Sequence, residues 1–210
     1  MSDENILVLA SSSPRRQQLL REAGYDFETV EPSLDESAIR IPADLSPAAT
    51  AESLAYMKAR NVAFMKPGRR ILAADTVVSS HGRVIGKPAD EQEAASMLRD
   101  LSSEPHKVIT GVAILEKQDR RLIASEQTIV IMRPMSEEDI LEYISTGEWR
   151  GKAGAYAIQE TADRYIEKVD GSFSNVVGLP MELVEKMNKK MDMVCGADSG
   201  EGTREPCETL

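Results

Sequence analysis

Aromatic residues make up only 4% of this 210-residue chain, with one tryptophan, three phenylalanines and five tyrosines. Aliphatic side chains must therefore do most of the packing. Histidine is nearly absent, with two copies, and so is cysteine, also with two copies. Cys195 and Cys207 both fall late in the chain, with no CxxC spacing and no accompanying histidines, so neither a disulfide framework nor a zinc site is indicated. Positive charge is short: 25 Lys and Arg face 35 Asp and Glu, a net charge of −10 at pH 7. That balance argues against a broad electrostatic footprint on a nucleic acid polymer or an anionic membrane, and phosphates would have to be met by a small local cluster of cations. Long apolar runs are missing too. The first five residues, MSDEN, lack a basic leader, and the apolar run 6–10 is too short for a signal-peptide core or a membrane span, which leads us to expect a soluble, cytoplasmic protein. No GxxxxGK[ST], GxSxG or HExxH pattern occurs, so P-loop, serine-hydrolase and zincin readings find no support.

What is present is an alternation of short apolar runs and amphipathic segments filling most of the chain. Residues 6–10 (ILVLA) suit a buried strand, and SSSPRR then leads into a helix with Ser13 as its cap, Pro14 in its first turn and Gly24 as its stop. The start of that helix, flanked by Arg15 and Arg16, reads either as an anion site or as an ordinary capped helix with solvated arginines. Further strands are expected near 27–30, 71–78, 83–85, 108–115, 123–132 and 165–169, and helices near 47–66, 90–101, 136–145 and 181–191. Residues 146–159 form a glycine-punctuated loop that carries Lys152 into a strand-like end at Gln159, and 171–175 a turn. Helices and strands alternate and the strands then pair, which predicts a mixed-sheet α/β fold. Residues 1–194 are expected to form a single domain, and 195–210 a polar, disordered tail.

The stretch ILAADTVVSSHGRVIGKP, residues 71–88, is the expected working centre. Asp75 is a carboxylate within an apolar strand, and burying it demands a cation, a metal or hydrogen-bond donors. Lys87, across the hairpin, is the nearest candidate partner in the chain, and the pair is either structural or chemical. Asp35 and Glu36, on a polar loop, are either solvated surface or hard-oxygen ligands for Mg²⁺. Lys58, among apolar neighbours of a helix, either snorkels or reaches a ligand. Gln159 at a pocket wall would offer a nucleobase both a donor and an acceptor. Together these groups could hold a polyphosphate and its metal.

The ordered motifs LASSSPRRQQLL, DES (35–37), AYMKAR, AADTVV, IGKP, HKVITGV, TGEWRGKAGAYAIQ and GSFSNVVGLP resemble those of the Maf family of nucleoside triphosphate pyrophosphatases, from residue 6 to about 187. The resemblance implies an α/β fold similar to inosine triphosphate pyrophosphatase, a twisted mixed sheet in two lobes with a central cleft. It also implies hydrolysis of a nucleoside triphosphate to monophosphate and pyrophosphate with Mg²⁺ or Mn²⁺, by a homodimer. Position by position, Asp75 matches the catalytic base and, with Glu36, the metal positions. Arg15, Thr76 and Gln159 match positions of substrate choice, and Ser11, Arg16, Lys58 and Lys87 match phosphate-binding positions. An Arg after SSSP, ADT and GAYAIQ look like the dTTP/UTP branch; the sister branch, favouring 7-methyl-GTP, usually has Tyr and SDQ there. Two departures from the family pattern are Gly151, where Asp commonly precedes KAG, and Glu160-Thr161-Ala162 in place of a glycine-containing turn. The alternatives to a pyrimidine enzyme are a purine or 7-methyl-GTP pyrophosphatase and a nucleotide-binding regulator of cell division with little catalysis.

Overall fold

The computed structural model describes residues 6–35, 39–42, 44–117, 120–159 and 161–197. Its elements run β1 (Leu7–Leu9), α1 (Pro14–Glu22), β2 (Phe27–Thr29), α2 (Pro47–Met65), β3 (Arg70–Ser80), β4 (Arg83–Ile85), α3 (Glu91–Ser103), β5 (His106–Glu116), β6 (Arg120–Met132), α4 (Glu137–Thr146), β7 (Ile166–Asp170), α5 (Phe173–Val177) and α6 (Met181–Ala197). Two short 3₁₀ turns, Ala153–Ala155 and Thr161–Tyr165, stand between α4 and β7.

Local chemistry sets most of these boundaries. The Ser46 side chain accepts a hydrogen bond from Ala49 N–H at the start of α2, and Asp90 does the same for Glu93 at the start of α3. Ser136 and Asp139 form a reciprocal capping box on α4, which ends on Gly147 in the left-handed region. His81 and Gly82 both have positive φ, 51° and 75°, the requirement of a two-residue turn that matches strand twist, and this joins β3 to β4.

The seven strands form one mixed sheet in the order β2-β1-β3-β5-β6-β7, with β4 paired to β3. β2, β1 and β3 are parallel, and β3, β5, β6 and β7 are antiparallel. The fold is thus mixed α/β, as the alternation of segments predicts. β3 is continuous through Asp75, whose register partner is Gly111, with Thr76 opposite Thr110.

The core gathers into clusters that share the long strands. One cluster packs Leu7, Leu9, Leu20, Leu72 and Ile114 against Leu179 and Val184 of the last third of the chain. A second packs Val78 and Val108, from the far ends of the same strands, with Leu98, Ile140, Trp149 and Tyr165. A third lies under α2, with Ala55, Ala59 and Val62 against Ile71, Ala73 and Ala113.

Three expectations are corrected. Residues 156–159 are not strand-like, because the chain there leaves a 3₁₀ turn in which Gly154 and Ala155 both adopt positive φ. The turn expected at 171–175 closes into the short helix α5, capped by Ser172 on Asn175 N–H. α6 continues past Met191 through Cys195 to Ala197, so Cys195 lies on a helix; Cys207 lies outside the described residues. Among the described residues no helix is long and apolar enough to cross a membrane.

Candidate active site

A cleft of about 680 Å³ opens between the two larger clusters. Its walls bring together segments remote in sequence: Ser11, Arg15 and Arg16 at the start of α1, Lys58 of α2, Asp75 and Thr76 of β3, Lys87 after β4, and Lys152, Tyr156 and Gln159 around the 3₁₀ turn. Every described residue among the expected site positions lines it, and Asp35 does so as well. Glu36, expected as a metal ligand, lies outside the described residues.

Asp75 is 8% exposed, and its carboxylate meets the Lys58 ammonium at 2.5 Å. Both side chains are 12% exposed, a depth at which either charge alone would be costly. Lys87, the nearer cation in sequence, sits instead on the exposed rim of the same cleft. The partner of Asp75 thus comes from α2, delivered by the way that helix crosses the sheet. The crossing is possible because residue 111 has no side chain: a Cβ there would lie 2.3 Å from the Ala51 carbonyl carbon and 2.4 Å from Glu52 N. Lys58 follows Ala51 by two helical turns and so shares its inward face.

Arg16 is fixed from several sides. Its Nε donates to the Gly178 carbonyl at 2.8 Å, its Nη2 to Thr76 Oγ1 at 3.3 Å and its Nη1 to Ser11 Oγ at 3.4 Å. Behind it runs a buried polar chain: Thr76 Oγ1 to Thr110 Oγ1 at 2.9 Å, Thr110 to the Asn175 carbonyl at 3.0 Å, and Asn175 Nδ2 to Val108 O and Thr128 Oγ1. Thr76, expected to act in substrate choice, therefore spends its hydroxyl on holding Arg16 and Thr110. Ser13 occupies the cap position of α1 without the expected side-chain bond; its N–H donates instead to Ser11 Oγ at 3.2 Å.

The opposite wall is set by the turn at Gly154, whose N–H donates to Gly86 O at 3.1 Å and so ties the Lys152 segment to the Lys87 segment. The Lys152 ammonium is held below the ordinary lysine range by burial and by the Arg15 guanidinium, with Glu148 acting in the opposite sense. Tyr156 closes the floor, its hydroxyl 2.6 Å from Nε2 of the buried His106, the rings edge to face. Asn175, Thr110, Tyr156 and His106 had no role assigned from sequence. They fall inside the motifs HKVITGV, GAYAIQ and GSFSNVVGLP, and those motifs were the one signal that could have pointed to them.

The arrangement is a carboxylate with a fixed cation at the base of a cleft whose mouth carries Arg15, Arg16, Lys87 and Lys152. Chemically, it suits a chain of phosphates laid past a buried carboxylate. Among the described residues no group of three or more His, Cys, Asp or Glu is poised to hold a metal ion.

Relatives agree over most of the chain. The dTTP/UTP pyrophosphatase of Symbiobacterium thermophilum is 49% identical over 181 residues, covering 86% of this chain and 91% of that protein. The dTTP/UTP pyrophosphatase of Pelotomaculum thermopropionicum is 45% identical over 185 residues, covering 88% and 95%. Among solved structures, a HAM1 protein from Coxiella burnetii is similar over 61% of this chain and 73% of its own, at 20% identity and a TM-score of 0.42. A family model described as Maf-like protein matches residues 6–191, and the chain belongs to that family.

Proposed function

We propose that this protein hydrolyses dTTP and UTP to the monophosphate and pyrophosphate. The observation that carries the reading is the ion pair of Asp75 and Lys58 at the base of a cleft rimmed by Arg15, Arg16, Lys87 and Lys152. It is supported by relatives named dTTP/UTP pyrophosphatase at 40–49% identity.

In this reading a water attacks the α-phosphorus, the bond from that phosphorus to the bridging oxygen breaks, and Asp75 takes the proton that the water loses. Lys58 fixes the orientation of the carboxylate. The arginine and lysine side chains at the mouth hold the β- and γ-phosphates and stabilise the charge that gathers on the departing pyrophosphate. Gln159, on the exposed end of the far wall, supplies a donor and an acceptor to the pyrimidine edge, and Arg15 faces Lys152 across the site. Thr76 acts on substrate choice through Arg16.

A divalent cation fits the donor set in the sparse manner of Mg²⁺, which keeps waters and substrate phosphates and takes one or two protein carboxylates. Asp75 would hold it, with Asp35 in the same cleft and Glu36 beside Asp35 in sequence. When bound, it would supply charge withdrawal from the phosphates. The reading also makes the protein a cytoplasmic homodimer, and sedimentation of the purified chain checks the dimer.

The test is a panel of UTP, dTTP, GTP and 7-methyl-GTP with pyrophosphate detection, with and without Mg²⁺ or Mn²⁺. UTP and dTTP should be turned over fastest and release pyrophosphate rather than orthophosphate. Asp75→Asn should still bind nucleotide and lose kcat by roughly 10²-fold or more. Undiminished turnover in that variant rejects Asp75 as the base, and faster turnover of the purines rejects the pyrimidine assignment.

A further inference from the structure

A second cleft, of about 890 Å³, shares no wall residue with the first. It is built where the last turns of α2, the Pro67-Gly68 turn and the β5–β6 hairpin meet. Its described walls carry six cations, Arg60, Lys66, Arg69, Lys117, Arg120 and Arg121, and no acidic side chain. In a chain with 25 Lys and Arg against 35 Asp and Glu, that concentration is far from the average surface.

Among the described residues, carboxylates meet some of these cations; Asp119, between Lys117 and Arg120 in sequence, lies outside the described residues. Glu28 meets Lys66 at 3.2 Å and Arg69 at 3.7 Å. Glu116 meets Arg120 at 2.8 Å and Arg70 at 3.0 Å, and Asp192 meets Arg70 at 2.7 Å. Seven cations thus face three carboxylates among the described residues. Arg69 Nε is also buried without a hydrogen-bond partner among the described residues.

The cations are interleaved with rings. Tyr56, Arg60 and Phe64 recur every four residues along α2 and so share one face. The Arg60 guanidinium stands 5.8 Å from the Phe64 centroid, and that of Arg121 stands 6.0 Å from Tyr56, the outer limit of a cation–π contact. Phe64 is 76% exposed, an apolar ring held open to solvent at the edge of a basic cavity. A flat heteroaromatic group stacked on such a ring covers it, while guanidinium groups beside it meet phosphate in a bidentate fashion.

We propose that this second cleft binds a nucleoside phosphate, with the base against Phe64 and the phosphates beside Lys117 and Arg121. The site is distinct from the proposed hydrolytic cleft and does not depend on what happens there.

The test is amide-resolved titration of the full-length, ¹⁵N-labelled protein with α,β-methylene-UTP and, separately, with inorganic tripolyphosphate. The nucleotide should shift amides at 60–66, 68–69, 117 and 120–121 along an isotherm separate from that of amides at 11–13, 15–16 and 75–76. The double variant Arg60→Glu/Arg121→Glu, both exposed positions, should weaken the second isotherm roughly tenfold or more and leave the first unchanged. Phe64→Ala should weaken the nucleotide and leave tripolyphosphate as it was. The milder Arg121→Gln guards against misfolding and should give a smaller loss. Absence of the shifts at 60–66, 68–69, 117 and 120–121, or shifts that survive the double charge reversal, overturns the site. Equal binding of tripolyphosphate and nucleotide overturns its assignment to a nucleoside. Concentration-dependent shifts at the same amides without ligand, matched by a dimer in sedimentation that Phe64→Ala dissolves, would give the surface to a second copy of the chain and overturn it as well. Loss of turnover in the first cleft bears on none of these outcomes.

Discussion

His106 is 1% exposed, and burial pushes its pKa down from 6.5 to about 4. Between those values the unfolded chain binds a proton that the folded chain refuses. Stability is therefore full above about pH 6.5, falls as the pH drops towards 4, and then levels off for this group. The window corresponds to about 3 kcal/mol at most. Denaturant titrations at pH 7 and pH 4.5 should show the wild type losing more stability than His106→Gln, which can still bond Tyr156. Equal losses in the two proteins would mean that the ring takes up its proton while folded. Lys152 carries the same logic into the cleft. Its pKa is lowered first by burial and then by Arg15, so it loses its proton at a lower pH than an ordinary lysine. KM for UTP should rise on the alkaline side as that charge disappears. Arg15→Gln should raise KM roughly tenfold through the lost charged contact, and it should also move the alkaline inflection upward. Glu148→Gln should move the inflection downward, and an inflection that stays put in both variants would take Lys152 out of phosphate binding.

The element that matters most is α2 lying across β3 and β5. Gly111→Ala would drive a methyl group into the backbone of Ala51 and Glu52, and no flexible side chain is there to yield. The helix must lift, at a cost of about 1–3 kcal/mol or more, and Lys58 lifts with it. Thermal stability and kcat should fall together, kcat by as much as 10²-fold if the Lys58–Asp75 geometry opens by about 1 Å. Ala51→Gly should not rescue the variant, because the contact is with main-chain atoms. Unchanged activity in Gly111→Ala would detach the helix crossing from the site. The same crossing marks the boundary of what the sequence made legible. Helices and strands were readable because their apolar periods, caps and turns are local, as in the box of Ser136 and Asp139 or the positive-φ pair His81-Gly82. The residues of the cleft were readable through their motifs. What stayed hidden was pairing over distance: proximity in sequence pointed Asp75 to Lys87, whereas a glycine on a neighbouring strand lets a helix bring Lys58. The positive φ of Ala155, 64°, has no residue signature either, so the segment after it read as strand. Cys195 read as tail because it opens a stretch that is polar and glycine-dotted over most of its length to Leu210, although α6 runs on to Ala197.

At the scale of the whole molecule, β3 and β5 belong to both large core clusters, Leu72 and Val112 to one, Val78 and Val108 to the other. The first cleft opens where those clusters part. Ser11, Arg15 and Arg16 ride on the first, and Lys152, Tyr156 and Gln159 on the second. A triphosphate gripped from both sides would bridge them, adding contacts that the folded chain has and the unfolded chain lacks. At a hundred times its Kd, such a ligand stabilises by about 2.7 kcal/mol. For a chain of this size that corresponds to a rise in Tm of roughly 5–10 °C. α,β-Methylene-UTP, which resists cleavage between the α- and β-phosphates, should produce the shift under one sharpened transition. Arg15→Gln and Lys152→Gln, one from each side, should each reduce the shift at fixed ligand concentration. Arg99→Gln, which breaks only an exposed ion pair with Glu137 between α3 and α4, should leave it intact. If the shift depends on Arg15 but not on Lys152, the nucleotide sits on one side of the cleft only, and the far wall does not take part in gripping it.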